Sequence, residues 1–186
     1  MIYPTSFFTL HFTGIIVGLL LIFSHVFALV FPAPTQSFLR ALPRSRTWGA
    51  ILLAASAVWA FWLVRTMDLG EFAHLRAALT VAVPAGALLS WMFVDEFLSV
   101  RALGILALLA AEPLLEAAYL RPELSRLILV CLAYAWIFAG LFLVGMPYIM
   151  RDLTTWLLGK QARYKQAAVA GIVCGAVILA CAVTLW

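Results

Sequence analysis

The sequence predicts an all-α, polytopic integral membrane bundle of about six transmembrane helices, and two observations carry that prediction. Of 186 residues, 66% are hydrophobic and 11% charged, whereas a soluble domain holds about 45–50% apolar and about 25% charged residues. The apolar residues also gather into six runs, each close to the ~20 residues that cross a bilayer as a helix. With 12 Lys and Arg and 8 Asp and Glu, the chain lacks the ions a water-facing surface needs. Six spans leave roughly 66 residues for connections, which is room for one transmembrane domain over 1–186 and no soluble one.

The first run covers about 7–30. It is longer than a signal-peptide core, and no Lys or Arg precedes it, so it is expected to be a retained span. Pro32 and Pro34 end it. The second and third spans are expected over about 48–64 and 77–94, with Asp95 and Glu96 closing the third. The fourth, about 102–120, is interrupted by Glu112, Pro113 and Glu116, while the fifth, about 127–150, carries no charge. Between it and the sixth span at about 167–186 lies a half-apolar stretch with Leu153, Trp156 and Leu157, read as a short amphipathic helix along the membrane surface. No sequence repeat is evident.

Orientation follows from the basic residues. The connections after spans one, three and five carry eight of the 12 Lys and Arg, concentrated at Arg40–Arg46 and Arg151–Lys165. The other connections carry four: Arg65, Arg76, Arg121 and Arg126. Cytoplasmic loops hold the excess of Lys and Arg, so both termini are expected to be extracytoplasmic. Trp48, Trp91 and Trp156 then form one interfacial belt and Trp62 and Trp186 the other. The basic balance (net charge +4) is thus a topology signal, and nucleic-acid binding is not expected. The membrane expected is a bacterial cytoplasmic (inner) membrane.

Glu112 is the residue most suggestive of chemistry. Counted from the expected start of its span it lies ~16 Å deep, near the midplane. A carboxyl group there costs at least ~2.5 kcal/mol, so such groups are usually functional or paired. Glu116 follows one turn later on the same helical face, and Pro113 removes a backbone donor. Span three has its own interruption at Pro84–Gly86. Two interrupted helices facing each other near the midplane would resemble the ion and substrate sites of carriers. Glu112, Glu116, Pro84 and Gly86 are therefore the candidate ion- or substrate-binding residues. If the fourth span instead starts near Phe97, Glu112 moves toward the outer headgroups and can pair with Arg121 or Arg126.

His11, Gly14, Gly18 and His25 fall on one stripe of the first span. Gly14–Gly18 is a GxxxG, as is Gly171–Gly175 in the sixth, and such spacing favours close helix contact. Counted from the span limits the two motifs lie in different leaflets, so they are expected to serve different neighbours. Gly49, near the membrane surface, is expected to tolerate a larger side chain. A bis-histidine haem needs one ligand from each of two helices, and His11 with His74 is the pair at matching depth. The histidines read otherwise as interfacial or hydrogen-bonded groups, and the expected cofactor is none. Asp95, Glu96 and Arg101 read as interfacial charges, or as a contact patch for a partner or lipid headgroups.

Cys131, Cys174 and Cys181 sit inside apolar runs without a CxxC, so no metal is expected. No nucleotide-binding, nucleophile-elbow or zinc-protease motif is present, and no catalytic residue is assigned. The functional expectation is an accessory or assembly subunit of a membrane complex, in contact with lipids and with other membrane subunits or itself. A small carrier or channel using Glu112 for a proton or cation is the alternative. A lipid-modifying membrane enzyme and a b-type haem protein follow.

Overall fold

The computed structural model describes residues 9–94 and 96–186. It is an all-α membrane bundle: eight α-helices among the described residues, six of them long and apolar enough to span a bilayer. The spans are α1 (Leu10–Val30), α3 (Arg46–Thr66), α4 (Arg76–Phe93), α5 (Leu98–Ala118), α6 (Arg126–Gly145) and α8 (Gln161–Thr184). A 3-10 turn, Gly70–Leu75, leads into α4. The two short helices, α2 (Pro32–Ala41) and α7 (Tyr148–Leu158), lie at the same end of the bundle, called here the α2/α7 face. The chain ends on the other, the Trp186 face.

Local side chains set two of the helix starts and two of the helix ends. Thr9 caps α1 by accepting from the Phe12 amide, and Ser45 caps α3 by accepting from the Trp48 amide. At the Trp186 face the C-terminal carbonyls of α3 and α5 are met by arginines from the next helix. Arg76 donates to the carbonyls of Arg65 and Met67, both at 2.8 Å, and Arg126 to that of Ala118 at 2.8 Å. A cation at a helix C-terminus satisfies orphan carbonyls and the dipole together. Two of the four basic residues on this face are thus committed to helix ends.

The spans form a row. α4 packs on α3, α3 runs parallel to α5, α5 pairs antiparallel with α6, and α1 pairs antiparallel with α8. The α1–α8 pair joins the row through a core of Leu10, Val17, Ala111, Leu114, Leu129 and Ile178. At the other end Ser99 donates to the Leu42 carbonyl at 2.6 Å, tying the turn after α2 to the start of α5. Lipid solvates apolar side chains as well as a protein core does, so span association depends on close backbone approach at small residues.

Glycines make that approach. A Cβ on Gly18 would stand 3.0 Å from the Gly175 carbonyl oxygen, and one on Gly175 would stand 2.8 Å from that of Gly18. Gly14 lies under the Trp186 ring and Gly171 under the His25 ring. All four glycines therefore line one seam, correcting the expectation that the two GxxxG motifs serve different neighbours. The reason is a boundary: α8 starts at Gln161, six residues before the expected limit, which moves Gly175 to mid-helix beside Gly18. A second seam joins α5 to α6, where Gly104 and Gly140 place their carbonyl oxygens 2.8 Å from each other's virtual Cβ. Gly49 is also buried, with Ser99 N at 3.1 Å and Leu98 Cβ at 3.2 Å from a Cβ there, so its expected tolerance is overturned.

Candidate functional site

The carboxylates of α5 come first. The helix starts at Leu98, with Phe97 as its cap, rather than at the expected residue 102. Glu112 is consequently ~21 Å from the start of the helix and ~9 Å from its end at Ala118. It belongs to the half of the span nearer the Trp186 face, not to its middle. Glu112 and Glu116 are half-buried, the Oε2 of each is shielded from solvent, and both side chains take part in interactions within the fold. The parallel contacts of α3 with α5, Gly49 at Ser99 and Ser56 Oγ at the Ala102 carbonyl, run on to bring Trp59 and Trp62 level with residues about 105–112.

Pro84 and Gly86 do not join this group. α4 is one unbroken helix through Pro84, and α5 is unbroken through Pro113. A proline removes one donor from a span without unwinding it, because neighbouring groups re-satisfy the freed carbonyl. Both Pro84 and Gly86 are exposed, and nothing approaches within 4 Å of a Cβ built on Gly86. α4 reaches the row instead through Ala87 and Val94, packed on Leu53, Leu98 and Ala102 near the α2/α7 face. The expected pairing of two interruptions around Glu112 is not formed.

The histidines are dispersed. His11 Nδ1 donates to the Ala182 carbonyl at 2.6 Å across the α1–α8 seam, and His74 Nδ1 donates to the Glu71 carbonyl at 3.1 Å within its own turn. α1 pairs with α8 and α4 with α3, so the two rings do not stand opposite each other as haem ligands would. His25 Nδ1 donates to the Leu21 carbonyl at 2.8 Å. It lines a cavity of about 180 Å³ with Ser24, Thr35 and Tyr164, and Tyr164 donates to the Ala28 carbonyl at 2.6 Å. Among the described residues no group of three His, Cys, Asp or Glu side chains could hold a metal ion.

The α2/α7 face carries the rest of the polar chemistry. Gln36 of α2 donates to Gln161 at the start of α8, at 3.3 Å. Arg46 stands 6.0 Å from the Trp91 ring centroid and Arg163 stands 4.6 Å from that of Trp156. Beside them Arg40, Arg44, Glu96, Phe97 and Arg151 surround two further cavities. Asp95 lies outside the described residues. The chain matches no protein-family model, no curated protein and no solved structure. Its own geometry is therefore the ground for any functional reading.

In the sequence Arg40, Arg44 and Arg151 read as topology signals and not as site residues. Their convergence depends on α2, a helix that the hydropathy pattern does not announce. The available signal was proline placement: Pro32 stands at the first helical position, where a missing amide hydrogen costs nothing.

Proposed function

We propose that this chain is a subunit of a larger membrane assembly and that a further span docks on the face of α4 left open by α3. The observation that carries the reading is the exposure of α4. None of its residues is buried, whereas each of the other five spans buries part of its length. The exposed face has the composition of a helix contact: Ala78, Ala82 and Gly86 recur every fourth residue and all are exposed. At Gly18–Gly175 and Gly104–Gly140 small residues within the spans of this chain allow close approach to a neighbour.

Co-purification from native membranes in mild detergent tests it. The wild-type chain is expected to carry a second membrane chain, or another copy of itself. Gly86→Leu is expected to lose that companion while keeping its own thermal stability, because the side chain enters open space. A wild-type chain that purifies alone and monomeric would remove the reading.

Orientation is part of the same proposal. With eight of the 12 Lys and Arg at the α2/α7 face, that face is placed in the cytoplasm by the positive-inside rule. Thr35→Cys and Gln161→Cys in intact cells are expected to resist membrane-impermeant thiol reagents and to react after permeabilisation. Labelling of either from outside contradicts this placement.

A second reading, proton or cation binding at Glu112, is favoured by one observation: two carboxylates a turn apart, each with a shielded Oε2. Loss of pH-dependent transport in reconstituted vesicles on Glu112→Gln, with stability unchanged, is the result that reading expects.

A further inference from the structure

We infer that the α2/α7 face holds the phosphate of an anionic phospholipid in a groove built by Arg40, Arg44 and Arg151. Two cavities, of about 400 and 260 Å³, meet at Arg151. The larger is walled by Pro43, Arg44, Glu96 and Phe97, and the smaller by Arg40, Leu158 and Gly159. Arg40 in the last turn of α2 lines the smaller cavity, and Arg44, in the 3-10 turn Leu42–Arg44 that follows, lines the larger. Arg151 rises between them from α7.

These cations have capacity to spare. Among the described residues Arg40 and Arg44 make no hydrogen bond or ion pair with the protein. Arg151 uses only Nε, 3.0 Å from Asp152 Oδ1, which leaves its two terminal nitrogens. A guanidinium presents parallel donors that match two oxygens of a phosphate. Thr154 and Thr155 also line the smaller cavity, but their hydroxyls donate to the carbonyls of Met150 and Arg151, at 2.7 and 2.8 Å. The donors are therefore the arginines. Among the described residues Glu96 is the carboxylate on the walls, and the three arginines outnumber it.

The surroundings favour a lipid over an anion from water. The groove lies where α4 ends and α5 begins, at the level of headgroups. Trp48, Trp91 and Trp156 mark the same end of the bundle, and such aromatics settle at the membrane–water boundary. Pro43, Phe97 and Leu158 add apolar wall beside the cations, suited to a glycerol and the start of its acyl chains. Phe97 holds its place with φ 57°, a left-handed conformation that non-glycine residues seldom adopt. Basic pockets between span ends are where anionic headgroups bind. This inference concerns the end of the bundle away from the open length of α4 and does not rest on the subunit reading.

The test is native mass spectrometry of the full chain in mild detergent, titrated separately with phosphatidylglycerol, phosphatidylcholine and inorganic phosphate. Phosphatidylglycerol is expected to bind. The pair Arg44→Gln with Arg151→Gln should weaken it about tenfold or more, the loss of charge-assisted hydrogen bonds. The pair Lys160→Gln with Lys165→Gln removes the same charge from the same face outside the groove, and should leave binding unchanged. Arg44→Lys with Arg151→Lys keeps the charge and loses the paired donors, so it should fold and still bind weakly. Equal loss in the Lys160/Lys165 pair would show diffuse surface charge and overturn the site. Phosphatidylcholine binding as tightly, displacement by inorganic phosphate alone, or no lipid adduct at all would overturn it too.

Discussion

Gly140→Leu is expected to separate α5 from α6 and to cost the bundle its fold. A Cβ at this position falls 2.8 Å from the Gly104 carbonyl oxygen and 2.8 Å from Leu108 Cγ. The first of these is backbone in the middle of a helix, which cannot step aside as a side-chain tip can. Over-packing a well-fitted core costs about 1–3 kcal/mol, and a leucine forced against a helix backbone belongs at or above the top of that range. Gly18→Leu meets the same obstacle at the Gly175 carbonyl and should open the α1–α8 seam. Gly49→Leu should also destabilise, by pressing α3 off Leu98 and Ser99. Gly86→Leu is the control and should unfold at the wild-type temperature. Thermal unfolding in detergent, followed by loss of the monodisperse chromatographic peak, checks all four. If Gly140→Leu and Gly86→Leu behave alike, the glycine seams do not hold the bundle.

Glu112→Gln is expected to lower stability without abolishing the fold. The side chain is half-buried, its Oε2 is shielded, and it is engaged within the structure. Glutamine matches its size but turns one acceptor oxygen into a donor. Leaving a buried polar group without its partner costs about 1–3 kcal/mol. A carrier using this carboxylate would show a different pattern: unchanged stability, with pH-dependent transport lost in reconstituted vesicles. A variant unchanged in both stability and transport defeats both roles and leaves Glu112 as a tolerated carboxylate near the Trp186 face.

Hydropathy made the number of spans legible, because a bilayer imposes length and composition on each one. Their limits were harder to read. The fourth span was expected to begin after Arg101, since a charge interrupts an apolar run. In the structure Arg101 is exposed within the first turn of α5, where a long cationic side chain can reach the headgroups while its backbone stays helical. That four-residue difference carries Glu112 away from the midplane. Pro32 and Pro34 stand where α1 ends at Val30, as stops should, and they also start α2, which the hydropathy does not announce.

Close contact was legible only where it repeated. The GxxxG pairs identified α1 and α8 as contact helices, yet depth counted from uncertain limits assigned them different neighbours. Gly104 is the lone glycine of α5 and Gly140 stands five residues from Gly145 in α6, so no GxxxG spacing announces that each is the other's partner. The face holding Arg40, Arg44 and Arg151 was legible as charge and not as a groove, because three segments distant in sequence must fold together to build it.

Photo-crosslinking in native membranes tests the central claim, that α4 docks a further span. A photoreactive side chain placed at Ala82 points away from α3, whereas one at Val83, which is half-buried, points toward it. The Ala82 probe is expected to give an adduct with a separate polypeptide, seen as a discrete rise in mass, and the Val83 probe should react within the chain. Lipid adducts alone from Ala82 would contradict the account and leave α4 a lipid-facing edge of a bundle complete in itself.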